Sequence, residues 1–98
     1  MRQVHTLKIG PLFFDAVTSG DKKAEFRKND RDFRCGDFLR LRKWDGEYTG
    51  HELLVKITHI LPVEELIPGA GNWAMLSFQP LETFDETFNF MSEAGGDL

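Results

Sequence analysis

The sequence predicts an α+β domain, a small mixed β-barrel-like sheet with one main helix and a short second helix. Three observations lead there. Ninety-eight residues suit one domain built on a single core. Apolar residues alternate with polar ones in several short segments, the pattern of half-buried strands. Only one segment, Pro11 to Ser19, carries an apolar stripe at helical spacing, so a layered βαβ arrangement would lack helices to cover its sheet.

Val4 to Ile9 is expected as the first strand, with Val4, Thr6 and Lys8 on one side and His5, Leu7 and Ile9 on the other. Gly10-Pro11 ends it, and proline at the first helical position starts a helix over Pro11 to Ser19 whose stripe is Leu12, Phe13, Ala16 and Val17. Gly20 supplies the permissive backbone for the exit. Lys22 to Lys28 reads as the next strand, with Ala24 and Phe26 on one face and Lys23, Glu25 and Arg27 on the other, the face that carries the chemistry. Asn29-Asp30 opens a polar connection, and Gly36-Asp37 leads into a strand over Phe38 to Trp44. Asp45 to Gly50 has the composition of a hairpin loop before Glu52 to Ile60, which is rich in branched apolar residues. Prolines bracket a single helical turn over Val63 to Ile67. After the connector Gly69-Ala70-Gly71, Asn72 to Gln79 reads as the closing strand, Ala74, Leu76 and Phe78 on one face. These elements assign residues 1–80 to the domain and residues 81–98 to an acidic tail, either a solvated extension or a segment partly docked through Phe84 and Phe88.

Charge is unevenly spread. Twelve Lys and Arg against sixteen Asp and Glu give a formal charge of −4. All twelve bases lie in residues 1–80, while residues 81–98 hold five acids and no base. Nine bases fall between Lys22 and Lys43 (Lys22, Lys23, Arg27, Lys28, Arg31, Arg34, Arg40, Arg42, Lys43) against four acids. A single-sign stripe of this kind concentrates anions such as phosphate, so the overall negative charge does not exclude nucleic acid; alternatively these are solubilising charges on exposed strand faces.

The lone Cys35 has no internal disulfide partner, and the chain has no apolar run of membrane-spanning length and no apolar leader after Met1. A cytoplasmic protein is expected, with no membrane association. His5, His51 and His59 fall on separate strands without a metal-ligand spacing, so no metal is expected. Neither a Walker loop nor a dinucleotide fingerprint is present, and no cofactor is expected. Trp44, Tyr48 and Trp73 read as core or hairpin-supporting aromatics, or as platforms for stacked bases.

The pattern Gly20-x-Lys22-x-x-Glu25-x-Arg27 followed by Gly36-Asp37 resembles the ASCH family of the PUA-like superfamily. Closer still is its small bacterial and phage branch of unassigned function, through His5-Thr6-Leu7-Lys8-Ile9, Arg27-Lys28-Asn29-Asp30-Arg31-Asp32-Phe33 and Trp44-Asp45. The resemblance runs from about residue 4 to residue 79. It implies a PUA-type barrel in which the first helix and the motif strand line a cleft for RNA or a nucleotide. Some members hydrolyse N4-acetylcytidine, using a Lys in the Gly-x-Lys position, a Thr three residues later and a distant Glu; here Lys22 is kept, but Glu25 stands at the threonine position.

Three functional readings follow. In the first, Lys22, Lys23, Arg27, Lys28 and Arg31 contact phosphate while Glu25 and Asn29 help select RNA or a nucleotide. In the second, Lys22 and Glu25 form the catalytic pair of an amidohydrolase acting on a modified nucleoside. In the third, the chain is a protein-interaction module of a phage or mobile element. Alternatively, Glu25 and Arg27, two apart on one strand face, serve only to orient each other or to pair with neighbours.

Overall fold

The computed structural model describes residues 2–81, and the expected docking of the tail through Phe84 and Phe88 lies outside the described residues. Alternation in sequence becomes alternation in burial. β1 (Val4–Ile9) buries His5, Leu7 and Ile9, as expected. It is followed by α1 (Pro11–Ser19), β2 (Ala24–Lys28), β3 (Phe38–Trp44), β4 (Tyr48–Pro62), a single 3-10 turn (Val63–Glu65) and β5 (Trp73–Pro80). The strands form one sheet in the order β1-β3-β4-β5-β2, curled into a half-barrel. β1 pairs with β3 in parallel, and every other pairing is antiparallel, so the sheet is mixed.

That order places β1 and β2 at opposite edges. The chain crosses from one edge to the other through α1 and returns to β3 through residues 29–37, so both connections span the gap where a closed barrel would join its edges. The core lies on the concave side. Leu7, Leu39, Leu41, Val55, Ile57 and Leu76 are almost fully buried there, and the crossing connections add Phe14, Val17 and Phe33. Burying so many branched and aromatic side chains, each contributing roughly 1.5–3 kcal/mol, stabilises a sheet whose edge strands among the described residues are β1 and β2.

Four expectations are corrected. The helix turns inward Phe14 and Val17, whereas Leu12 and Phe13 are 83% and 59% exposed. The reason is lateral: Lys43 on β3 bonds Asp15 at 3.0 Å and faces the Phe14 ring, which fixes the rotation of α1. Strand β2 begins at Ala24 rather than Lys22, because the Lys22 amide donates to Ala16 carbonyl at 2.9 Å and still belongs to the helix exit. The hairpin turn is shorter than Asp45 to Gly50, since Tyr48 already pairs with Trp44 and their rings meet edge to face. The second helical turn stops at Glu65 instead of Ile67.

Candidate functional site

Helix α1 ends on Gly20, whose φ of 88° is left-handed. A Cβ built there meets no atom within 4 Å, so the need for glycine is conformational rather than spatial. The turn it makes carries Lys22 back against the helix. Lys22 Nζ lies 3.8 Å from Glu25 Oε1 and 5.3 Å from the centroid of the Phe13 ring. At 3.8 Å the two charges attract without a hydrogen bond, leaving both free to engage a third group.

Glu25 and Arg27 reach the same region from β2. Glu25 is paired with Leu76 and Arg27 with Ala74, and directly opposed residues of an antiparallel pair share a face. Leu76 and Ala74 belong to the core. The motif's charged face is therefore the concave, core-side face, exposed only because β2 is an edge strand. Both side chains are half-buried. The Arg27 guanidinium makes no ion pair and no hydrogen bond among the described residues, so there it does not orient Glu25, contrary to the alternative expectation.

The remaining candidates separate by role. Lys23 and Lys28 are exposed beside the motif. Asn29 holds the connection: its Oδ1 accepts the Phe33 amide at 2.9 Å, its own amide donates to Asn72 carbonyl at 2.7 Å, and Asn72 Nδ2 donates to its carbonyl at 2.8 Å. Arg31 donates from Nη1 to the Thr6 carbonyl, which ties the returning connection to β1. The nine bases between Lys22 and Lys43 thus do not make one stripe. Arg34 pairs with Asp32, Lys43 with Asp15, and Arg40 and Arg42 converge on Glu52 at 2.8 Å on the convex face. Hydrogen bonding to Arg40 holds the Glu52 carboxyl below its ordinary value and raises Arg40 in return.

A surface cavity of about 380 Å³ adjoins the motif, with Lys22, Lys23, Thr58 and Gln79 around an apolar base of Val17 and Phe78. Thr58 reaches it because β4 shifts register between Ile57 and His59, a bulge that re-aims the strand. Glu25 and Arg27 do not line this cavity; they lie along the strand from it. Nothing in the local pattern marked Thr58 or Gln79. Phe13 was visible, but as a core residue.

The Gly36-Asp37 turn meets the first strand in a buried pair. His5 Nε2 and Asp37 Oδ2 are hydrogen-bonded at 2.9 Å, and Asp37 also accepts the amides of Gln3 at 3.0 Å and Arg34 at 3.1 Å. Phe33 packs edge-on against the His5 ring at 4.7 Å. His51 and His59 both lie on β4 rather than on separate strands and are exposed, as is Cys35. Among the described residues, no three His, Cys, Asp or Glu side chains gather as a metal-ligand set, and no helix is long and apolar enough to cross a membrane.

Comparison with known proteins places this arrangement in context. A family model described as a domain of unknown function (DUF3850) matches residues 4–78. An uncharacterized 12.9 kDa protein in the GpA 3′ region of Escherichia phage P2 is 38% identical over 66 residues, 66% of this chain. The chain spans 61% of the length of that relative. The crystal structure of hypothetical protein PH0355 superposes with a TM-score of 0.52 at 17% identity, covering 83% of this chain and 100% of the other, a likeness of fold.

Proposed function

The chain belongs to this family of unknown function, and we propose that it acts as an RNA- or nucleotide-binding module of the ASCH, PUA-like type. The observation that carries the reading is Arg27, a half-buried guanidinium on the core-side face of an edge strand with no ionic partner among the described residues. Removing a cation from water without a counter-charge is unfavourable. Phosphate or a base edge restores the lost interactions through the planar fork of the guanidinium. Lys22 and Glu25 stand alongside as a donor next to an acceptor, the combination that a nucleobase edge requires.

The test is a calorimetric titration with mononucleotides and mixed RNA oligomers at two ionic strengths. Binding should weaken as salt rises, through counterion release. Arg27→Ala should lose about tenfold in affinity, equivalent to about 1.4 kcal/mol, and Lys22→Ala should also weaken binding. Absence of any salt-sensitive binding overturns the reading.

One observation favours a second reading. Lys22 and Glu25 are close and partly shielded, with side-chain exposures of 25% and 17%, which suits a carboxylate activating water beside an ammonium that stabilises an oxyanion. Incubation with N4-acetylcytidine followed by chromatography decides it. Release of acetate that disappears in Lys22→Ala and Glu25→Gln supports hydrolysis, and no turnover leaves binding as the function.

A further inference from the structure

The convex face of the same edge carries a second feature. Phe26 and Trp73 are stacked, ring centroids 5.0 Å apart and planes 8° from parallel, yet 48% and 41% exposed. Along the sheet, Phe26 is paired with Met75, and Met75 with Leu61, so apolar residues of three strands lie side by side on this face. Lys28 is paired with Trp73, is exposed, and makes no ion pair among the described residues. Its neighbours along the β2–β5–β4 ladder, Ala24, Ser77 and His59, bring no carboxylate, while Glu52, farther along the convex face of β4, is held by Arg40 and Arg42, and Glu64 by the amides of Gly69 and Gly71. Among the described residues, β2 is the last strand on this side of the sheet.

We infer that Phe26 and Trp73 form a stacking platform for the bases of a single-stranded nucleic acid that wraps around the β2 edge. The inference rests on the binding reading above and extends it from a nucleotide to a polymer. Parallel aromatic faces offered to solvent accept any base by stacking, and a neighbouring cation tracks the backbone. Alternation along β2 puts Phe26 and Lys28 on one side of the edge and Glu25 and Arg27 on the other. Crossing one sheet of roughly 10 Å depth takes only a few nucleotides of extended strand. A protein partner would find apolar area here as well, but the cations on both sides of the edge, Lys28 and Arg27, neither ion-paired among the described residues, favour a polyanion.

The experiment uses the full chain carrying Trp44→Phe, which leaves Trp73 as the only indole. It is titrated with uridine monophosphate, with oligouridylate of about eight nucleotides and with the deoxy oligomer of the same length. The oligomers should quench Trp73 emission while the mononucleotide leaves it unchanged, and the two oligomers show whether the sugar matters. With a fluorescent oligomer in the parent chain, Phe26→Ala and Trp73→Ala should each weaken binding about tenfold without changing mononucleotide affinity. Trp73→Phe keeps a π face and should retain most affinity, and thermal unfolding confirms that each variant is folded. Ring variants that bind the oligomer like the parent chain overturn the platform while leaving the Arg27 site standing. Conversely, loss of oligomer binding in the ring variants with no effect of Arg27→Ala retains the platform and removes the earlier reading. Concentration-dependent dimerisation abolished by Phe26→Ala would assign the patch to a second copy of the chain and overturn the proposal.

Discussion

Asp37 accepts three hydrogen bonds in a site where both it and His5 are buried. One side chain thereby joins the start of β1, the end of the returning connection and the entry to β3. Asp37→Ala leaves the Gln3 and Arg34 amides and one His5 ring nitrogen without their acceptor, and a loss of about 3 kcal/mol in urea unfolding is expected. Asp37→Asn keeps the volume and one acceptor oxygen and should cost less. If both variants unfold with the parent chain, the junction contributes nothing. In the sequence, Gly36-Asp37 was legible as a turn, because glycine before a strand is a local signal. Its pairing with His5, thirty-two positions away, was not, since no local periodicity relates a turn to a distant strand.

Among elements, the connection between β2 and β3 shows most clearly how one segment takes on a structural task that its composition hides. Its Arg-Lys-Asn-Asp-Arg run suggests phosphate contacts, yet Asn29 and Arg31 spend their polar groups on Phe33, Asn72 and Thr6. Arg31→Ala should therefore lower stability by about 1 kcal/mol, through loss of the bond to Thr6. Its effect on mononucleotide affinity should be small beside that of Arg27→Ala. Chemical unfolding read alongside the same titration separates the two: an Arg31 variant of parent stability and tenfold weaker binding would return Arg31 to the ligand site. Helix α1 gives the complementary lesson. Its bounds followed from Pro11 and Gly20, but its facing did not. A helix of nine residues offers two adjacent apolar stripes, and the contacts of Phe14 and Asp15 with Lys43 select between them. Leu12 and Phe13 are left at the surface, and Phe13 next to Lys22.

For the whole molecule, acid should find two defined carboxylates. Donation from Arg40 lowers Glu52, and the amides of Gly69 and Gly71 lower Glu64, each from an ordinary value of 4.5. A carboxyl depressed in the folded chain binds fewer protons there than in the unfolded chain. Its stabilisation is present well above 4.5 and is lost as pH falls from there through the folded value. The double variant Glu52→Gln, Glu64→Gln should be slightly less stable at neutral pH and lose less on acidification. Urea midpoints followed from about pH 7 to about pH 3 test this; parallel curves for the two chains would mean that neither contact acts in solution.

The sequence by itself determined the number and order of the strands, the bounds of α1 and the mixed class, because period-two alternation, Pro11, Gly20 and the hairpin composition are encoded within a few positions of where they act. Only the tertiary structure decided what the motif faces. β2 follows α1 in the chain but pairs with β5, and that distant pairing turns Glu25 and Arg27 toward the core side while leaving Phe26 and Trp73 outside. It also decided which of nine clustered bases stay free, since Glu52, Asp15 and the Thr6 carbonyl reach Arg40, Arg42, Lys43 and Arg31 only after folding. The physical reason is one of range: propensity and periodicity are set by neighbours along the chain, whereas the partner of a charge and the open edge of a sheet are set by strand order, which long-range burial selects.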